Sequence, residues 1–112
     1  MKIESAKEFI DRKNREWQKK REITTKKITR SGYFHWIREA WIFMPQTTYK
    51  EKVFCVERLR KKETVQYRVG YYIVGKIGRA NGKWVWGQFC PMIPKNDLNK
   101  LIKKARKEKV II

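Results

Sequence analysis

The sequence predicts an α+β domain: an antiparallel four-stranded β-meander packed against helices, with an N-terminal and a C-terminal helix flanking the sheet. Three observations predict it. Apolar residues recur at three- and four-residue steps in both terminal segments. Between them the apolar period falls to two over long runs. Those runs are separated by residues that turn hairpins, Asn81-Gly82 above all. The 112 residues suffice for one domain with one modest core. Residues 1–30 read as a basic helical arm, 37–90 as the sheet and 94–109 as the last helix.

The first element is expected over residues 3–21, where Ile3, Ala6, Phe9, Ile10 and Trp17 form an apolar stripe among lysines and arginines. Lys13 interrupts that stripe, so the second half is expected to project from the body. Lys19, Lys20, Arg21, Lys26, Lys27 and Arg30 then make a basic connector up to the Ser31-Gly32 break. Tyr33, Trp36, Ile37, Ala40, Trp41 and Met44 fit helical spacing, whereas Trp41 to Met44 fits a strand closed by Pro45. A turn followed by a strand over about residues 37–44 is the reading adopted.

Lys52 to Arg60 is a strand, Lys61-Lys62 a tight turn and Thr64 to Ile77 a long alternating strand. Asn81-Gly82 fits a type I′ turn, in which both central residues take positive φ, and Lys83 to Cys90 is the return. That geometry sets Arg79 opposite Trp84 and Ile77 opposite Trp86, while the first turn sets Val56 opposite Tyr67. One face then carries Phe54, Val56, Tyr71, Ile73, Trp84 and Trp86 and reads as the core. The other is half-polar and centres on Arg68, Tyr72 and Lys76. A bulge at Gly75 or Gly78 would move one tryptophan across, so both indoles stand open between core filling and base stacking. Past Pro91 the last helix begins near Pro94, with Asp97 in its first turn and Ile93 placed to staple onto Leu98. Its apolar stripe is Leu98, Leu101, Ile102 and Ala105.

Charge narrows the function. Twenty-nine Lys and Arg face eleven Asp and Glu, a net charge of +18 whose self-repulsion is relieved by a polyanion. Nucleic acid is the expected partner; no membrane and no small-molecule substrate is expected. The chain has no apolar run of spanning length and no signal-type leader, so a cytoplasmic protein is expected. Cys55 and Cys90 lack a metal-ligand pattern and read as small hydrophobes, or as a disulfide in a hyperthermophile.

Within residues 68–88, Tyr71, Tyr72, Trp84 and Trp86 interleave with Arg68, Lys76, Arg79 and Lys83. Rings stack on unpaired bases and cations track phosphates, so this mixture points to a sequence-tolerant binder of single-stranded nucleic acid. The expected binding residues are Arg68, Tyr72, Lys76, Arg79, Lys83, Trp84 and Trp86.

The pattern GYYIVGKIGRANGKWVWGQFCPMIPKNDLNKLIKKA, residues 70–105, resembles the ThermoDBP-type single-stranded DNA-binding proteins of hyperthermophilic archaea and their relatives. The likeness rests on the tryptophan-rich return strand and the Pro-Met-Ile-Pro entry into the helix. It implies a four-stranded antiparallel sheet gripping a helix, and a cleft with an apolar floor and basic edges that takes unpaired bases of single-stranded DNA. It also implies self-association into a homo-oligomer through helices. On matching positions Tyr72, Trp84, Trp86, Lys76, Arg79 and Lys83 inherit the binding role.

Catalysis has little footing. His35 is the single histidine, Glu39 and Glu57 are the only acids within the expected strands, and no metal pair or cofactor motif stands out. Gly75, Gly78 and Gly82 fit neither a Walker A loop nor a Rossmann turn. No catalytic residue, metal or cofactor is expected. The enzymatic alternative is a RelE-type toxin ribonuclease, also small, basic and built of helix and antiparallel sheet. The third is an architectural protein on duplex DNA.

Overall fold

A computed structural model describes residues 2–29 and 32–112, with the side chains of 24–35 outside the described residues, His35 and the basic connector's Lys26 and Lys27 among them. The elements are α1 (Ala6–Lys19), β1 (Glu22–Thr29), β2 (Gly32–Pro45), β3 (Lys52–Lys61), β4 (Thr64–Val74), β5 (Trp84–Trp86) and α2 (Lys95–Lys107). The strands form one antiparallel sheet in the order β1-β2-β3-β4-β5, so the α+β meander is confirmed with five strands where four were expected. The added strand comes from the second half of the expected helical arm. Its β-branched Ile23, Thr24, Thr25, Ile28 and Thr29 favour extended backbone more than its lysines favour a helix. β2 likewise begins at Gly32, five residues before the expected strand.

The two helices pack on opposite faces of the sheet. α1 starts with a reciprocal capping box: Glu8 N donates to Ser5 Oγ and Ser5 N to Glu8 Oε1, each at 3.1 Å. It buries Phe9 and Trp17 against Phe43, Val53 and Cys55, with Tyr72 and Trp84 packed beside them. Its second half does not project, because Lys13 sets its ammonium 5.2 Å from the centre of the Tyr72 ring and leaves the stripe unbroken. Trp41 Nε1 donates to Asn14 Oδ1 at 2.8 Å and fixes α1 to β2.

α2 covers the other face, placing Leu101 and Ala105 on Ile42, Phe54, Val56 and Tyr71. The expected staple is replaced. Leu98 stays exposed, while Ile93 packs on the core and the fully buried Asp97 accepts from Thr47 N (3.1 Å) and Oγ1 (2.8 Å). After α2, Lys109 takes φ 59°, the left-handed conformation that closes a helix and here folds Val110 back into the core.

Both hairpin registers differ from expectation, with opposite consequences. In β3–β4, Val56 pairs with Val69 and Phe54 with Tyr71, a slip of two residues that leaves every side chain on its expected face. In β4–β5, Trp84 pairs with Val74 and Trp86 with Tyr72 instead of Ile77, a slip of five that carries both indoles to the opposite face. The cause is the turn. Asn81 has φ −56° and Gly82 φ 76°, with Lys83 N donating to Ala80 O at 2.9 Å: a type II turn, not type I′. It sits in a wide loop with a 3-10 turn at Gly78–Ala80, so β4 ends at Val74 and β5 spans only three residues. Gly75 permits this path, because a Cβ there would overlap the backbone of Ala80.

Candidate nucleic-acid interface

The slip in β4–β5 gathers Arg68, Tyr72, Trp84 and Trp86 on the face that α1 partly covers. α1 packs against two of them, Tyr72 and Trp84, and leaves each partly buried. Trp84 stacks on Phe9 at 4.7 Å and 16°, and its Nε1 donates to Glu4 O at 2.7 Å. Tyr72 touches Phe9, Trp17, Phe43 and Trp86, and burial pushes its phenol well above the usual range. Lys76, Arg79 and Lys83 lie on the loop after β4, exposed, and Lys76 Nζ donates to Glu51 Oε1 at 2.6 Å. The seven predicted residues therefore do not converge on one site. Arg68, Tyr72 and Trp86 adjoin, Trp84 is packed under the start of α1, and the three loop cations stand apart.

Beyond α1 the same face is open, and its centre is a carboxylate. Glu57 on β3 is 0% exposed. It accepts from Arg38 Nε at 2.7 Å, from Arg68 Nε at 2.6 Å and from Arg68 Nη2 at 2.9 Å. A buried carboxylate is tolerated only with such partners, and here two guanidiniums leave a net positive charge at the surface. Each guanidinium also lies against an indole, Arg38 at 3.6 Å from the Trp17 ring centre and Arg68 at 5.2 Å from that of Trp86. Hydrogen bonding to Glu57 raises the pKa of Arg68 above its ordinary value, so it stays cationic at any working pH. Trp86 itself is 38% exposed and lies across the backbone of Gly70, where a Cβ would overlap its ring.

Three adjoining recesses extend this centre into a furrow. One of about 330 Å³ is lined by Ile23, Trp36, Leu59, Gln66 and Arg68. A second, of about 560 Å³, shares Ile23 and adds Glu16, Trp17, Lys19, Lys20, Glu22 and Arg38. The third shares Trp36 and Gln66 and adds Lys61, Lys62 and Thr64. The furrow thus has an apolar floor that includes the indoles of Trp17 and Trp36, edges that carry Lys19, Lys20, Lys61 and Lys62 together with Glu16 and Glu22, and Trp86 outside it against Arg68.

No family model, curated protein or solved structure matches the chain.

Sequence reasoning missed Arg38, Trp36, Glu57 and the furrow flank from β1. Arg38 was hidden by a bulge: β2 shifts register between Arg38 and Ala40, which puts Arg38 on the same face as Trp41 and Phe43. Glu57 had a legible signal, an acid among the inward positions of a strand in a very basic chain. The expected register set it opposite Gln66, whereas it pairs with Arg68. Among the described residues no group of His, Cys, Asp and Glu could hold a metal ion, and no helix is long and apolar enough to cross a membrane.

Proposed function

We propose that this chain binds single-stranded nucleic acid, single-stranded DNA first, without strong sequence preference, in the furrow beside α1. One observation carries the reading. The Arg68 guanidinium is held between a buried carboxylate, Glu57, and a solvent-facing indole, Trp86, at the mouth of a basic furrow. A cation fixed in place loses little entropy when it meets a phosphate, and the ring beside it offers a face to the adjoining base. Trp36 would supply a second ring, and Lys19, Lys20, Lys61 and Lys62 the further phosphate contacts. Gln66 is the lone side-chain amide among the furrow-lining residues named, too few groups to read base edges, so sequence tolerance follows.

The resemblance of residues 70–105 to ThermoDBP-type proteins points the same way, although here the ring and cation set moves from the hairpin tip to the open half of the sheet. In this reading the protein acts as a binder and not as an enzyme, works in the cytoplasm and self-associates. Tryptophan fluorescence titrations with single-stranded DNA, single-stranded RNA and duplex at two ionic strengths test it. Quenching and tighter binding by the single strands are expected. Tighter binding to duplex would favour the architectural alternative, and metal-free cleavage of labelled RNA the toxin alternative.

A further inference from the structure

The furrow uses few of the chain's cations, and a second set lies on the opposite face. α2 turns Leu101 and Ala105 to the sheet and leaves Lys95, Lys100, Lys103, Arg106 and Lys107 exposed, with Lys109 just beyond its end. Lys100, Lys103 and Lys107 fall at helical intervals of three and four, a ridge of positive charge along one side of the helix. Lys104 pairs with Glu108 at 2.5 Å, but those three have no carboxylate partner among the described residues. A strand in the furrow cannot neutralise them. The sheet stands between, since α2 covers the face opposite the furrow, and charges on exposed surfaces are screened over a Debye length of about 8 Å at physiological salt.

Resting on the furrow reading, we infer that the lysine ridge of α2 is a second nucleic-acid site, which holds the phosphate backbone of another strand, so that one protein bridges two segments. The ridge carries no aromatic ring, so it takes backbone without stacking and accepts single strands and duplex alike. It also carries no bulky apolar side chain between its lysines, which leaves it nothing to insert into a lipid layer. Two sites facing away from each other cannot be filled by one short strand, and bridging follows from that placement.

The test is energy transfer between two short single-stranded DNA oligonucleotides, one carrying a donor and one an acceptor, with the full-length protein added. Wild-type protein should bring donor and acceptor together. K100E/K103E/K107E should cut that signal about tenfold and reduce the salt slope of pairing by about 2, from about 0.7 per phosphate contact. Its affinity for the first strand should fall less than about threefold. K2E/K7E/K50E changes the net charge equally at exposed lysines off the ridge, and should pair like wild type. Circular dichroism confirms that each variant is folded, and the neutral K100Q/K103Q/K107Q should give the same loss in smaller degree. Undiminished pairing by the ridge variant overturns the inference, since two furrows in an oligomer would then suffice. So does wild type that binds one strand and never pairs, including one whose α2 binds anionic vesicles instead. Failure of the furrow reading looks different: R68A and W86A would leave first-strand affinity unchanged.

Discussion

The indole of Trp86 lies over the backbone of Gly70, so close that a Cβ on residue 70 would overlap the ring. Trp86 and Gly70 sit on neighbouring strands, and the missing side chain is what makes room for the ring, which stays partly exposed. Gly70→Ala should lift the indole and weaken single-strand binding, as Trp86→Ala should directly by about 1–3 kcal/mol. Fluorescence titration checks both. Unchanged affinity in Trp86→Ala would remove that ring from the interface.

Glu57 is the keystone of the open half. Glu57→Gln leaves the nearly buried guanidinium of Arg38 without its counter-charge and should destabilise the fold by about 3–5 kcal/mol in urea unfolding. Because the penalty belongs to an uncompensated charge, the double variant Glu57→Leu with Arg38→Met should recover much of it. A double variant no more stable than Glu57→Gln would contradict this account.

Trp84 and Tyr72 should act on stability more than on affinity. Trp84 is stacked on Phe9 and bonded to the Glu4 carbonyl, and Trp84→Ala should cost about 3 kcal/mol of folding free energy. A folded Trp84→Ala protein with normal stability and no strand binding would return that ring to the interface.

Salt dependence separates the two groups of cations. Arg68→Ala should weaken binding and lower the slope of log affinity against log salt by about 0.7. Lys76→Ala and Arg79→Ala, on the loop beyond β4, should leave the slope in place. The opposite pattern would move the binding site to the hairpin tip.

Acid should loosen the sheet through Glu39. Hydrogen bonds from Arg60 and Arg58 hold its carboxyl below the ordinary carboxylate range. A depressed folded-state pKa gives stability that is present above the unfolded value, about 4.3, and lost as pH falls through the folded one. Urea midpoints should therefore drop between neutral and strongly acidic pH, and Glu39→Gln should flatten that acid limb. Parallel acid limbs in the two proteins would exclude Glu39 as the cause.

The two thiols should also differ. Cys55 is fully buried and burial pushes its thiol well up, whereas Cys90 is exposed. A thiol reagent at mildly alkaline pH should label one cysteine in the folded protein and two after unfolding.

The chain by itself determined the α+β class, both helices, the positions of β3 and β4 with their alternating faces, and a surface suited to a polyanion. Those features rest on local rules. The three-and-four stripes of α1 and α2 and the period of two in β3 and β4 act within a few residues and can be read in place. The turn dipeptide was legible too, but its conformation was not. Asn81-Gly82 is compatible with type I′ and with type II, and only the crossing of Gly75 by Ala80 selected between them. That choice moved Trp84 and Trp86 to the other face, where α1 packed against one indole and left the other more open. The same holds for β1, whose β-branched residues were masked by lysines, and for the union of Arg38, Glu57 and Arg68, which a bulge and a two-residue slip brought about. Register is decided by which long-range pairs pack, and no short stretch of sequence contains both partners.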